Sequence, residues 1–274
     1  MRRLDVNGGA GRSMGGGPLD AVRRVTVVVP ARNEERLIGR CLRGLDGARR
    51  RLGRRRPDVE VQVIVVLDAC TDRTPDIVTH HGDVTVLTVD AACVGAARQA
   101  GIRHVLEGGH GDDGPAGSVD PVDLLGHLDH GTHWVTNTDA DSVVPSSWLL
   151  EQLAIAEAGH DVVVGLVEPD PSELGADVLA RWRGRHRLVE GHDHVHGANL
   201  AFRLSTYVAA GGFEPLPVHE DVRLVERMRT GGARVVATAR VRVRTSARTT
   251  GRAPQGFAAY LDELAGGATA AEAG

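Results

Sequence analysis

The chain has 274 residues, 42% hydrophobic and 25% charged, with 32 basic against 36 acidic side chains and a net charge of −4. That length and balance suit one large α/β domain with a substantial core and exclude a chain disordered throughout. The slight acidity excludes the global basic field that would hold nucleic acid. Three widely spaced cysteines, Cys41, Cys70 and Cys93, lack metal-ligand spacing and fit a reducing, cytoplasmic setting without a disulfide framework. No apolar run reaches the roughly 20 residues of a spanning helix, and the N-terminus has no apolar signal core.

Residues 1–23 are rich in Gly and Arg without periodicity, and a small-residue tail covers 265–274; both ends are expected to be disordered. Between them one domain is expected over 24–264, with a more regular half at 24–145 and a less regular half at 146–264. The β-branched run from Val25 to Val29 predicts a buried strand stopped by Pro30. Leu37, Ile38, Cys41, Leu42 and Leu45 then recur at helical spacing, with Asn33 as an N-cap. Val61–Leu67 is the second strand, Asp72 caps a helix over 73–80, and Val84–Val89 is the third strand. A helix over 92–106 precedes a Gly/Asp/Pro loop at 107–120. Trp134–Thr138 forms the fourth strand, Ser146–Ala158 a helix and Asp161–Val167 the fifth strand. Further on, helices are expected over 174–189, 206–210 and 222–230, with an edge strand over 234–238. Strands alternating with helices of this length imply right-handed βαβ units and a mostly parallel sheet flanked by helices.

Ligands of open α/β sheets collect beyond the carboxyl ends of the strands. Three strands here end in polar signatures: Pro30-Ala31-Arg32-Asn33-Glu34-Glu35, Asp68-Ala69-Cys70-Thr71-Asp72 and Asp139-Ala140-Asp141. Two carboxylates one residue apart can share a hard divalent cation with a phosphate, although an Asx turn explains the same pair. Asp68 either accepts a hydrogen bond from a base or merely ends its strand. Glu220 and Asp221 either cap a helix through its dipole or supply a general base.

Taken in order, P-A-R-N-E-E, L-D-A-C-T-D-R-T, D-A-D, G-A-N-L-A-F-R, G-G-F and H-E-D resemble the family 2 glycosyltransferases of the GT-A fold, over roughly residues 24–245. The resemblance implies a Rossmann-like nucleotide-binding half and an acceptor half. It also implies transfer of one sugar, a hexosyl group by expectation, from a nucleotide-diphosphate sugar to an acceptor hydroxyl, with a Mn²⁺ or Mg²⁺ ion and inversion. Position by position, Pro30, Ala31, Asn33 and Glu34 match the loop bordering the nucleoside, and Asp68 the carboxylate that reads the base. Asp139 matches the first D-x-D aspartate, near the ribose, and Asp141 the one that coordinates the metal. Asp221 matches the general base, with Glu220 beside it, and Gly197, Ala198 and Asn199 the loop shaping the sugar and acceptor pocket.

The chain also departs from the family pattern. Leu67 stands where an acid often precedes Asp68, and Arg98 falls in a segment that replaces G-x-x-x-A-x-N, so Arg98 either faces the donor or snorkels from an exposed helix. A Q-x-x-R-W motif is absent, which points away from processive synthases. His192, His194 and His196 share one face if extended and make a zinc candidate; His196 is alternatively a third ligand of the catalytic metal. Arg242, Arg244, Arg248 and Arg252 form a cluster in which Arg248 and Arg252 are candidate diphosphate contacts, with solvated surface charge as the alternative. Helix 174–189, with Trp182, faces either solvent or an anionic membrane. Competing functions are a catalytically degenerate nucleotide-sugar-binding module and a sugar-phosphate nucleotidyltransferase, the latter disfavoured by the absence of a Gly-rich loop after the first strand.

Overall fold

The computed structural model describes residues 21–108, 131–186, 188–248 and 257–266. Residues 1–20 and 267–274 at the ends, most of the 107–120 loop, and Arg252 lie outside the described residues. In the first half β1 (Arg24–Ala31), β2 (Glu60–Asp68), β3 (Thr85–Val89) and β4 (His133–Asn137) alternate with α1 (Ile38–Arg55), α2 (Thr74–His81) and α3 (Val94–Leu106). These strands lie in the order β3-β2-β1-β4, all parallel. The chain runs outward from β1 to β3 and then returns to the other side of β1, which opens a crevice at the carboxyl ends of β1 and β4.

The second half contributes β5 (Ser142–Val143), α4 (Trp148–Glu157), β6 (Val162–Pro169), α5 (Ala176–Arg185), a 3₁₀ turn at Gly197–Asn199 and β7 (Leu200–Arg203). It closes with α6 (Leu204–Ala209), α7 (Glu220–Thr230), β8 (Val235–Thr245) and α8 (Phe257–Gly266). The sheet continues β4-β7-β6-β8-β5 to eight strands. Here β7 is antiparallel to both neighbours, β8 is parallel to β6, and β5 is antiparallel to β8. The result is one mixed sheet, parallel throughout its first half.

The period-two alternation of β1 decides the layers. Val25, Val27 and Val29 join the core beneath α1 and α4, while Val28 joins Ile64 and Val66 on the opposite face with α3. Gly101 lets α3 lie close on that face, because a Cβ there would stand 2.7 Å from a Val28 methyl. A third, smaller cluster of Trp182, Ala247, Leu261 and Leu264 joins α5 to α8.

Several expectations are corrected. Asn33 does not cap α1, which begins four residues after Glu34; its φ of 53° places it in the left-handed region, and its Oδ1 accepts the Thr71 N–H at 2.7 Å. Asp72 does take the N–H of Thr74, at 3.0 Å. The predicted edge strand continues to Thr245 and runs between β6 and β5, with its register slipping after Gly165. Val241 and Val243 point inward from it while Arg242 and Arg244 point outward, so these two arginines leave the proposed diphosphate cluster. Trp182, offered for a membrane surface, is buried. Among the described residues no helix is long and apolar enough to cross a membrane.

Candidate active site

The carboxyl ends of β1, β2 and β4 meet the start of α7 around one cavity of about 580 Å³, within the range of small-molecule sites. Pro30, Ala31, Glu34, Asp68, Arg98, Asp139, Asp141, His196, Gly197, Ala198, Glu220, Asp221 and Arg248 all line it. Chain segments from both halves of the sequence thus converge where the strand order predicts a ligand. Among the described residues, Asn33 and Asn199 are the expected site residues that stay out of this wall.

Asn199 is excluded by its bonding. It is buried, donates from Nδ2 to the carbonyls of Leu166 and Val241 at 2.8 and 3.0 Å, and accepts the Trp148 indole N–H at 2.9 Å. Its amide ties β6, β8 and α4 together, and no polar capacity is directed to a ligand. Asp68 is on the wall but its carboxylate accepts the N–H groups of Ala91, Ala92 and Cys93 at 2.9, 2.8 and 2.9 Å. Those bonds hold the β3–α3 loop, whose Ala92 has a φ of 49°, and take most of the acceptor capacity of a carboxylate.

The D-x-D segment sits in the turn from β4 to β5, closed by the Ser142 N–H donating to the Asp139 carbonyl at 3.0 Å. Asp141 accepts the Thr245 hydroxyl at 3.1 Å and pairs with Arg248 at 2.9 Å. The same Arg248 guanidinium forks onto both oxygens of Glu34 at 2.9 Å. Burial, and next the negative charge of Asp139, push the Asp141 carboxyl up to about 6, against the opposing pull of Arg248.

Arg98 is the structural centre of the cavity. It is 3% exposed and pairs with Asp139 at 2.6 Å on one side and with Glu220 on the other. The D-x-D turn and the first turn of α7 are thereby bridged through a single guanidinium. A Cβ at Gly197 would fall 2.4 Å from that guanidinium, so glycine is what admits Arg98. Glu220, buried against Arg98, has its carboxyl raised by burial while Arg98 opposes the rise. Asp221 is less buried, lines the same cavity as the D-x-D turn and accepts the Gly197 N–H at 2.5 Å.

The histidine run adopts another arrangement than metal ligation. Ring centroids lie 5.9 Å apart for His192 and His194 and 6.2 Å for His194 and His196, in stacked pairs. His186 stacks on Trp182 at 4.4 Å and meets Tyr260 edge-on at 5.3 Å. Among the described residues no three His, Cys, Asp or Glu side chains are grouped to hold a metal, so neither the zinc reading nor His196 as a third ligand gains support from the geometry. Burial lowers the His196 imidazole to about 4, so it stays neutral despite Asp221.

Sequence reasoning missed the bridging role of Arg98 and the Glu34–Arg248 pair. A signal for the first existed: Arg98 lies on the same helical stripe as Gly101, Ile102 and Val105, all buried, and a lone arginine on an apolar stripe needs buried partners. No local signal marks the second, whose members are 214 residues apart.

A family model described as "Glycosyltransferase like family 2" matches residues 23–265. Among solved structures, TarS 1–349 of S. aureus in complex with UDP superposes with a TM-score of 0.55 at 15% identity, covering 88% of this chain and 69% of that one. A mannosyltransferase from Pyrobaculum calidifontis in complex with GDP-Man and Mn²⁺ superposes at 0.54 and 21% identity, covering 86% of this chain and 60% of that one. No curated protein matches the chain.

Proposed function

The chain belongs to glycosyltransferase family 2, and from that premise we propose that it moves a single sugar from a nucleotide-diphosphate donor to an acceptor hydroxyl, with a divalent cation and with inversion. The observation that carries the reading is the convergence of Asp139 and Asp141 with Asp221 on one cavity, across the Arg98 bridge.

The residues fit a divalent ion. Mg²⁺ and Mn²⁺ sites commonly use one or two carboxylates and take their other ligands from phosphates and water. Asp141 and Asp139 would hold the ion, and a cation there would oppose the upward shift that burial first and Asp139 second impose on Asp141. When bound, such an ion would neutralise charge developing on the leaving diphosphate.

The chain's own groups supply the rest. Pro30, Ala31 and Glu34 border the nucleoside, and Asp68 shapes that border through the loop it holds. Asp221, fixed by the Gly197 N–H, accepts the proton of the acceptor hydroxyl as its oxygen attacks the anomeric carbon. Glu220 keeps Arg98 in place, and Arg98 orients Asp139. Gly197 and Ala198 form the floor between donor and acceptor. A single displacement with a base opposite the leaving group inverts the anomeric centre. A cytoplasmic location belongs to the same proposal, supported by three free cysteines.

The pairing of Arg248 with Asp141 favours one second reading, a binding module in which the arginine replaces the metal. Thermal melting with UDP, GDP, dTDP, ADP and CMP, each with and without Mn²⁺, separates the two. A ligand at about 100 times its dissociation constant adds about 2.7 kcal/mol. Stabilisation by one nucleotide that requires Mn²⁺ supports the transferase; stabilisation indifferent to Mn²⁺ supports the module. No response to any nucleotide overturns the donor assignment.

A further inference from the structure

We propose that the acceptor is an uncharged molecule whose hydroxyl is carried on a ring with an apolar face, and that Phe257 and Tyr260 of α8 receive that ring. The inference rests on the transferase reading and names the substrate class of the same cavity.

The same cavity is also lined by Val195, Pro217, Val218, Phe257 and Tyr260 together with the rings of His186 and His196. These rings form one connected layer. Phe257 meets His196 edge-on with centroids 6.4 Å apart, Tyr260 meets His186 edge-on at 5.3 Å, and His186 rests on the buried Trp182. The layer is backed by the apolar cluster of α5 and α8, with Leu261 and Leu264 buried behind Phe257 and Tyr260. Half-buried aromatic rings that open into a cavity present flat apolar surface, and a ring-shaped acceptor gains most from covering it.

Charge points the same way. Among the described residues the arginines of the wall are Arg32, Arg98 and Arg248. Arg98 is held between Asp139 and Glu220, and Arg248 between Glu34 and Asp141. Arg32 lies at the nucleoside end, donating to the Ala92 carbonyl at 3.4 Å. Among the described residues, a phosphate or carboxylate on the acceptor would therefore meet the Asp221 carboxylate and neutral rings without a cation to pair with it, and burying a charge unpaired is costly.

Calorimetric titration of the full chain tests this, using phenyl β-glucoside and its 6-phosphate as probes, beside a separate titration with UDP or GDP and Mn²⁺. The expected result is saturable binding of the neutral glucoside, with the 6-phosphate weaker by about tenfold or more. Tyr260→Ala and Phe257→Ala should each weaken the neutral probe by about fivefold, with Tyr260→Phe restoring it. Equal or tighter binding of the phosphate, with nucleotide binding intact, overturns the acceptor class and leaves the transferase reading standing. Failure of both nucleotide titrations, together with no melting response to UDP, GDP, dTDP, ADP or CMP, removes the transferase reading and this inference with it.

Discussion

The two walls of the cleft are built on different physics. The wall at the ends of β1, β2 and β4 is charge laid on a parallel scaffold: Glu34, Asp68, Asp139 and Asp141 are each fixed by a guanidinium or by main-chain N–H groups. The other wall, from α5, α8 and the segment before β7, is a layer of imidazole and aromatic rings on a small apolar cluster. A charged wall suits a diphosphate and a cation, whose recognition is electrostatic and geometrically strict. A wall of rings selects by shape and by the absence of charge. Asp221 and Arg98 stand where the two meet, so substitutions there should separate chemistry from binding most sharply.

The largest effect is expected at Asp221. Replacing it with Asn keeps the shape and the acceptor for the Gly197 N–H but removes the base. Transfer should fall by about 10²- to 10⁴-fold while the melting transition is retained. An unchanged rate would assign the proton to another group. Next comes Arg98→Met, which leaves Glu220 buried without its partner and should cost about 3–5 kcal/mol in denaturant unfolding. Adding Glu220→Gln to that variant should recover part of the loss, since the uncompensated charge is gone. A cost below about 1 kcal/mol would show that the bridge is dispensable. Gly197→Ala is expected to be milder, about 1–3 kcal/mol. The clashing atoms belong to a side chain that two carboxylates pin, so it cannot swing aside freely.

The legibility of the molecule follows the same division. The first half could be read because its strands are continuous β-branched runs and its polar residues fall directly after them, as with Asp139 after β4. The cavity-lining residues Glu34, Asp141 and Asp221 and the helix spacing of α1 were all visible in one dimension. Asn199 was misplaced because a buried amide that joins β6, β8 and α4 has the same sequence context as one that faces a ligand. The histidines suggested metal because spacing gives which side of a strand they share and says nothing of whether rings stack or nitrogens converge. The long strand β8 was cut short because its register slips after Gly165, which breaks the alternation at Ala239 and Arg240. Arg248 could be placed in a cluster but not paired, since its partners Glu34 and Asp141 are distant in sequence, Glu34 by 214 residues.

That arginine cluster supplies the two smallest effects and the cleanest internal control. Arg248 competes with any cation for Asp141, so Arg248→Ala should tighten Mn²⁺ binding in the absence of nucleotide, by about fivefold for a partly exposed pair worth about 1 kcal/mol. Calorimetric titration with Mn²⁺ reads this directly, and weaker binding would mean that Arg248 organises the carboxylates instead of occupying them. Arg242, six residues earlier, comes from the same stretch of sequence but points outward from β8. It pairs with Glu168 at 3.0 Å, with its own side chain 49% exposed. Arg242→Ala should leave Mn²⁺ binding unaltered and change stability by no more than about 0.5 kcal/mol, because an exposed pair in water gains little over its solvated ions. If the two variants shifted Mn²⁺ affinity alike, the effect would belong to the net charge of the region. A shift confined to Arg248 ties it to contact with Asp141, as the charged wall of the cleft requires.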